Sequence, residues 1–206
     1  MKKVLIVAAS YFKEDDIIFD DDYYKVAVDN GYMHFYDNKI TCDLLVGDFD
    51  TLKISDFSYA KKVIELNPQK DDTDTFYIVK YLLNEGYDDF TFYGCLGNRN
   101  DMTFSSYSIL YYLLKKRKKA ILISDDEEVI LLSKEYNSSY VFSTVGVKFS
   151  LLSLSYESDV RLVGYQYDYE GKMSLDTPLG ISNVVKNSDN IISIKEGILL
   201  LFIHKK

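Results

Sequence analysis

Several short stretches of the sequence place charged side chains directly after apolar runs, at spacings that suit phosphate and cation chemistry. In the first, D-L-L-V-G-D-F-D-T (residues 43–51), the apolar run ends at Gly47 and is followed by Asp48 and Asp50. If the backbone stays extended there, the two carboxylates point to one face. Paired carboxylates suit Mg²⁺, which takes one or two of them together with phosphate oxygens and water. A solvated Asp-rich turn is the alternative.

The second stretch, N-P-Q-K-D-D-T-D (residues 67–74), joins an apolar run to an amphipathic segment. We expect Asp71 to cap the following helix and Asp74 to lie in its first turn, which stabilises a helix by about 0.5–2 kcal/mol without any function. Lys70 is harder to explain in this way, because a cation before a helix N-terminus opposes the helix dipole. A lysine beside the backbone N–H groups of a helix start is a reasonable phosphate contact.

Two more stretches have the same character. In Y-G-C-L-G-N-R-N-D (residues 93–101), two glycines permit close approach of the backbone and Arg99 is able to bind two phosphate oxygens. Asp101 either caps the next helix or completes an acidic cluster. In V-D-N-G (residues 28–31), Asp29 either joins that cluster or belongs to an ordinary Asp-Asn-Gly turn.

The elements that must position these side chains follow from the apolar pattern. Short runs rich in Val, Ile, Leu and aromatic residues predict strands buried on both faces, and two longer segments show helical spacing. The strand-like runs are residues 4–9, 25–28, 43–46, 63–66, 90–93 and 120–123, and the helical segments are 73–85 and 102–116. The alternation predicts an open, mostly parallel α/β sheet with flanking helices. The charged stretches all follow strands, at the edge where such sheets bind ligands.

After about residue 125 the pattern changes to short strand-like runs separated by Asn, Ser and Gly, which predicts an all-β sandwich or barrel. We therefore expect two domains, residues 1–125 and 126–206. In the second, Tyr165, Tyr167 and Tyr169 alternate as residues on one face of a strand do.

Composition limits the classes of function. The 206 residues are 47% hydrophobic and 27% charged, which is typical of a globular chain. The net charge of -8 argues against a nucleic-acid partner, because that needs an excess of Lys and Arg. A divalent cation can still reverse the local charge for a phosphate substrate. The two cysteines are too few for a disulfide scaffold, and no apolar run is long enough for a membrane span, so we expect a cytoplasmic protein without a membrane partner.

Taken together and in this order, the charged stretches resemble those of the thiamin pyrophosphokinase family. That family has an A-D-G-G-like turn, G-D-F-D-S, K-D-x-T-D and G-x-x-G-G-R-x-D-H, followed by a β-rich domain with an S-N pair. Here the corresponding stretches read V-D-N-G, G-D-F-D-T, K-D-D-T-D and G-C-L-G-N-R-N-D-M, and the pair is Ser182-Asn183. The agreement in order, spacing and layout extends over nearly the whole chain.

The resemblance implies Mg²⁺-dependent transfer of a pyrophosphoryl group from ATP to the hydroxyl of thiamin by a homodimer with its active site at the subunit interface. It implies a nucleotide-binding, catalytic first domain and a thiamin-binding second domain. By position, the Mg²⁺ ligands are Asp48, Asp50 and Asp71, which with Arg99 form the catalytic set, and Asp48 or Asp71 accepts the hydroxyl proton. The remaining implied contacts are Asp29 and Asp101 in the acidic pocket, Lys70, Thr73, Asp74, Asn98 and Arg99 near the nucleotide, and Ser182 and Asn183 on the thiamin side.

The sequence departs from the family pattern at four positions: Asn30, Asn98, Met102 and Ser106. The second domain contains no Trp, so aromatic stacking on thiamin has to come from Tyr or Phe. Two alternatives stay open: a pyrophosphokinase acting on another primary alcohol, such as a pterin, and a non-catalytic sensor of thiamin or nucleotide. The presence of every proposed carboxylate ligand argues against the sensor.

Overall fold

The computed structural model describes residues 1–10, 12–13, 20–69, 71–97 and 99–205. The chain divides into two compact units, residues 1–125 and 126–206. The first is a parallel α/β sheet with helices and the second is built of antiparallel strands, so the predicted fold class is confirmed. Within the described ranges, no helix is long and apolar enough to cross a membrane.

Within its described residues, the first unit has six parallel strands, one for each predicted run. Their order in the sheet is β6-β5-β1-β2-β3-β4. The strands are β1 (Lys3–Val7), β2 (Tyr23–Val28), β3 (Leu44–Gly47), β4 (Val63–Glu65), β5 (Asp89–Tyr93) and β6 (Lys119–Ile123). Residues of β1, β3 and β5 are buried because both faces of a parallel sheet are covered. The prediction of burial was wrong for β4, whose ends are exposed because it lies at the edge of the sheet.

In the part of this unit that the structure describes there are three α-helices: α1 (Tyr32–Asp37), α2 (Asp74–Asn84) and α3 (Asn100–Lys115). The last two confirm the predicted helical segments to within two residues, whereas α1 was not predicted. The predicted cap of α2 was wrong. Thr73 is the N-cap, and its hydroxyl oxygen accepts a hydrogen bond from the Phe76 N–H at 3.2 Å. The helix ends before Gly86, whose φ of 82° is the left-handed conformation that glycine allows after a helix.

The second unit consists of two antiparallel sheets with strand orders β12-β9-β14-β7 and β11-β10-β13-β8. Apolar side chains from both sheets, such as Phe149 and Leu199 from one and Val160 and Ile192 from the other, form one core, which makes the unit a sandwich. The strands are β7 (Glu127–Ser133), β8 (Ser139–Tyr140), β9 (Lys148–Ser153), β10 (Glu157–Val163), β11 (Tyr169–Ser174), β12 (Asn183–Val184), β13 (Ile191–Glu196) and β14 (Ile198–His204).

The expectation that three alternating tyrosines share a strand face was wrong. β10 ends at Val163 and β11 begins at Tyr169, so the tyrosines lie in and around a connection. Tyr165 is buried in the core, whereas Tyr167 is 62% exposed.

Candidate functional site

The carboxyl ends of the parallel strands form the edge that carries the candidate site. β1 has β2 on one side and β5 on the other, so the chain order reverses at β1. Open α/β sheets bind ligands at such a reversal. The loops that leave the two strands there are joined, because the Ala8 N–H donates to the Tyr93 carbonyl at 2.8 Å and the Ser10 N–H donates to the Gly94 carbonyl at 2.9 Å. The loop after β1 was not predicted from the sequence to belong to the site.

Two glycines let these loops approach one another. A Cβ at Gly94, whose φ is 67°, would collide with the Ala8 carbonyl oxygen, and a Cβ at Gly31 would collide with the Val7 carbonyl oxygen. Glycine is therefore required at both positions for the backbone to close around this edge.

Asp29 is held above the neighbouring strand by an unusual backbone. It begins a 3₁₀ turn (Asp29–Gly31) directly after β2 and has a φ of 47°. Its carboxylate lies against Gly47 at the end of β3, where a Cβ would overlap Oδ1 of Asp29. That Oδ1 atom is buried and has no hydrogen-bond partner among the described residues. The close packing explains why a glycine precedes Asp48.

The Asp29 carboxyl group belongs to a cluster of acidic side chains. Its pKa is raised to about 7, mainly by burial and also by the negative charges of Asp74 and Asp48, whereas a hydrogen bond from the Phe49 backbone opposes the shift. A side-chain hydrogen bond also joins Asp29 to Asp74. The Asp29 carboxyl group is therefore partly protonated near neutral pH, because burial and the neighbouring negative charges disfavour its charged form. A cation would relieve the same repulsion.

Asp48 and Asp50 are not arranged as an extended backbone would arrange them. Phe49, between them, has a φ of 59°, so the condition on which the prediction of a shared face rested is not met. The Asp50 N–H donates to Oδ1 of Asp48 at 3.3 Å. Asp48 is half-buried beside the acidic cluster, whereas Asp50 is exposed.

In the stretch before α2, the aspartate that lies beside Asp29 is Asp74 and not Asp71, the implied Mg²⁺ ligand. Asp74, the first residue of the helix, reaches Asp29, whereas Asp71 is exposed. Thr73 uses its hydroxyl oxygen for the helix cap. Lys70 and Asn98, both expected near the nucleotide, lie outside the described residues.

Arg99 and Asp101 form a two-pronged ion pair at the start of α3. Nε of Arg99 donates to Oδ1 of Asp101 at 3.1 Å, and Nη2 donates to Oδ2 at 2.6 Å. The hydrogen bonds from Arg99 lower the pKa of the Asp101 carboxyl group. Both side chains are about two-thirds exposed. The guanidinium group is thus oriented and accessible, and the described contacts of Asp101 are to Arg99 and to the Met102 N–H rather than to the cluster.

Ser106 ties the glycine-containing loop to α3. Its hydroxyl lies 2.9 Å from the carbonyl oxygens of both Cys95 and Met102, and the side chain is buried. Ser106 departs from the family pattern, and this role was not predicted from the sequence. Burial raises the pKa of the neighbouring Cys95 thiol to about 12, so the thiol stays protonated and is no nucleophile.

Of the thiamin-side pair, Asn183 is buried and lines a cavity of about 260 Å³ in the second unit. Ser182 is exposed, has a φ of 58°, and donates its backbone N–H to the Ser150 hydroxyl at 3.1 Å. Non-glycine residues rarely adopt the left-handed conformation, and those that do are often found at ligand sites.

Among the described residues, no group of three or more His, Cys, Asp or Glu side chains is placed to hold a metal ion by itself. Mg²⁺ does not need three protein ligands, since it keeps several waters and binds through one or two carboxylates and substrate phosphates. The all-oxygen cluster of Asp29, Asp48 and Asp74 fits that demand, and the buried Oδ1 of Asp29 is an acceptor that a cation or its water shell would satisfy.

Comparisons with known proteins identify one family and one fold. The family described as thiamin pyrophosphokinase, catalytic domain, matches residues 16–122. The structure of thiamine pyrophosphokinase from Bacillus subtilis has a TM-score of 0.87 to this chain at 22% identity, over 100% of both chains. Thiamin pyrophosphokinase from Geobacillus thermodenitrificans has a TM-score of 0.83 at 21% identity, over 98% of this chain and 97% of its own. The values for thiamin pyrophosphokinase from Candida albicans are 0.75 and 17%, over 99% and 90%. No curated protein matches the chain in sequence.

Proposed function

The chain belongs to the thiamin pyrophosphokinase family, and from that premise we propose that it transfers a pyrophosphoryl group from ATP to the hydroxyl of thiamin, giving thiamin diphosphate and AMP. The family implies thiamin and a nucleotide as substrates of a kinase-type transferase. The observation that carries the proposal is the cluster of Asp29, Asp48 and Asp74 at the carboxyl edge of the sheet. All three residues lie inside the stretch that matches the family's catalytic domain.

The proposal includes Mg²⁺. Asp48, Asp50 and Asp71 are its proposed ligands, and Asp29 and Asp74 add carboxylate oxygens next to Asp48. When bound, Mg²⁺ neutralises the charge of the triphosphate and orients it. The raised pKa of Asp29 supports a cation here, because a site that concentrates negative charge stabilises whatever positive charge enters it.

The reaction needs little covalent chemistry from the protein. The hydroxyl oxygen of thiamin attacks the β-phosphorus of ATP, the bond from that phosphorus to the oxygen bridging the α-phosphate breaks, and AMP leaves. The hydroxyl proton passes to a carboxylate, for which Asp48 or Asp71 is proposed, and such base assistance contributes about 10²–10⁴-fold. Arg99, oriented by Asp101, and Lys70 supply positive charge to the phosphates.

On the thiamin side, we propose that Ser182, Asn183 and the cavity beside them serve the heteroaromatic substrate. The cavity has an apolar lining that includes Leu162 and Met173, and Asp168, whose Oδ1 accepts the Tyr165 N–H at 2.9 Å, also lines it. An apolar recess with one acidic group suits a flat organic cation. A homodimer remains part of the proposal, and sedimentation of the purified protein tests it.

The test of the reaction is formation of AMP and thiamin diphosphate from ATP, Mg²⁺ and thiamin, with each omitted in turn. We expect both products in equal amounts and only when all three are present. Asp48→Asn and Asp50→Ala should abolish turnover or raise the Mg²⁺ requirement, whereas Asp56→Asn, an exposed aspartate of the same unit, should not. Full activity of Asp50→Ala would remove Asp50 from the metal site.

The same assay separates the alternatives. Thiamin binding without AMP formation would favour a sensor. If thiamin neither binds nor reacts, other primary alcohols, including pterins, are to be screened against the same ATP site.

A further inference from the structure

The segment before β12 holds Ser182 in a strained conformation and leaves its side chain free. Ser182 has a φ of 58°, in the left-handed region that residues other than glycine rarely adopt. Its side chain is exposed, and within the described ranges its hydroxyl makes no hydrogen bond. Ile181 and Asn183, on either side of it, line the cavity of the second unit. The contacts that fix the Ser182 backbone therefore decide where a free hydroxyl lies beside this cavity.

The backbone of Ser182 is bonded by a side chain. β12 begins at Asn183, so Ser182 lies just outside the pairing of that strand with β9. Its N–H donates to the hydroxyl oxygen of Ser150 at 3.1 Å. The other end of the segment is anchored by the Leu151 N–H, which donates to the Gly180 carbonyl at 2.9 Å. Ser150 is thus the residue that fixes the N–H of the left-handed residue itself.

His204 in turn holds the Ser150 hydroxyl. Nε2 of His204 lies 3.3 Å from the Ser150 oxygen, and Nδ1 lies 3.9 Å from a carboxylate oxygen of Glu127 on the neighbouring strand β7. A carboxylate beside Nδ1 favours the imidazole tautomer that carries its proton there. Nε2 then accepts the proton of the Ser150 hydroxyl, whose lone pairs remain for the Ser182 N–H. Because Ser150 is buried, these two partners rather than water direct its hydroxyl.

We propose that Ser150 and His204 are positioning residues for the thiamin side of the site, and that they act through the backbone of Ser182. This inference rests on the proposed function, and it gives a role to two side chains outside the motifs shared with the family. A left-handed residue costs free energy and persists only where the surrounding contacts enforce it. Without the bond to Ser150, the segment is released to more ordinary conformations, which displace the Ser182 hydroxyl.

The test measures thiamin binding by calorimetry and the KM values for thiamin and ATP. Ser150→Ala should raise the Kd and KM for thiamin about 3- to 10-fold, the range for one lost hydrogen bond, and leave the KM for ATP unchanged. Ser153→Ala is the matched control, since Ser153 is a buried serine of the same strand that bonds to Ser155 and Ser158. It should lower the unfolding temperature without changing either KM. An unchanged thiamin Kd for Ser150→Ala would overturn the proposal.

The role of His204 is tested by a conservative replacement. His204→Ala should weaken thiamin binding about threefold or more, because the Ser150 hydroxyl is then free to turn. His204→Gln should restore most of the affinity, since its side-chain oxygen can accept the same proton. Equal weakening by the alanine and glutamine variants would refute the role of His204. If Ser150→Ala does not fold, as judged by circular dichroism, these two variants still decide whether the contact acts on binding.

A double-mutant cycle separates positioning from direct contact. In a Ser182→Ala background the hydroxyl is already absent, so adding Ser150→Ala should change the thiamin Kd less than twofold. The full loss in both backgrounds would show that Ser150 does not act through Ser182. Hydrogen exchange of residues 180–183, followed by mass spectrometry, reports the anchor without substrate and should be faster in Ser150→Ala than in Ser153→Ala. Equal exchange in the two variants would contradict the anchoring.

The outcomes distinguish this inference from the proposed function. A wild-type protein that turns over thiamin, together with a Ser150→Ala variant that binds thiamin equally well, would refute only the role of Ser150. A wild-type protein that does not bind thiamin would refute both proposals.

Discussion

Replacing Asp29 by asparagine removes a carboxyl group whose pKa the folded chain raises from 3.8 to about 7, mainly by burial. The folded protein then binds this proton more tightly than the unfolded chain does. The resulting stabilisation is complete below pH 3.8 and is lost as the pH rises to about 7. A shift of this size corresponds to about 4 kcal/mol in a fully buried site. Because Asp29 is only partly buried, solvent screening reduces the figure to about 2 kcal/mol.

The Asp29→Asn side chain is neutral at every pH and keeps a donor for the hydrogen bond to Asp74. Above pH 7 without Mg²⁺, we expect this variant to unfold about 4–8 °C higher than the wild type, and the difference should vanish near pH 4. Thermal unfolding followed by circular dichroism between pH 4 and 9 measures this, with Asp56→Asn as the control. At pH 8, added Mg²⁺ should raise the midpoint of the wild type more than that of Asp29→Asn, because the cation offsets the charge that the variant lacks.

Two results would refute this reasoning. If the difference between Asp29→Asn and the wild type does not change with pH, the Asp29 carboxyl group is not perturbed in the folded chain. If Asp29→Asn is less stable than the wild type above pH 7, the charged form of Asp29 is stabilising and the cluster is not one of mutual repulsion.

Three further substitutions test other parts of the site. Gly47→Ala should lower stability by about 1–3 kcal/mol through overlap with the Asp29 carboxylate, and adding Asp29→Ala should relieve most of that loss; full additivity would contradict the close packing. Thr73→Ala should lower the free energy of unfolding in denaturant by about 0.5–2 kcal/mol. Asp71→Ala should not, because Thr73 and not Asp71 is the N-cap of α2. Arg99→Lys should raise the KM for ATP about tenfold, because a lysine cannot bind two oxygens in one plane; an unchanged KM would place Arg99 away from the phosphates.

The local pattern of the sequence was sufficient to predict the helices, the strands and the fold class. Apolar runs of strand length and the helical spacing after residue 73 identified six strands and two long helices of the first unit, because burial on one or both faces leaves a period in the sequence. The same pattern placed the charged stretches at strand ends, and parallel strands bring those ends to one edge.

Which of those side chains meet was decided by the tertiary structure. Because Thr73 rather than Asp71 is the N-cap of α2, Asp74 lies in the first turn beside Asp29 and Asp71 stays exposed outside the helix. The left-handed Phe49 separates Asp48 and Asp50 in a way that no alternation rule anticipates.

The sequence alone also does not predict that the Asp29 carboxyl group is partly buried or that the Asn183 amide bonds to the backbone. The sequence by itself determined that Asp29, Asp48 and Asp74 follow strands or open a helix, but the raised pKa of Asp29 depends on packing against Gly47 and on residues far along the chain. Similarly, Asn183 was recognisable as a candidate, but only the fold shows that its amide holds the backbone of Tyr167. Sequence patterns report local periodicity, whereas pKa values and hydrogen-bond partners depend on distances between segments that only the folded chain brings together.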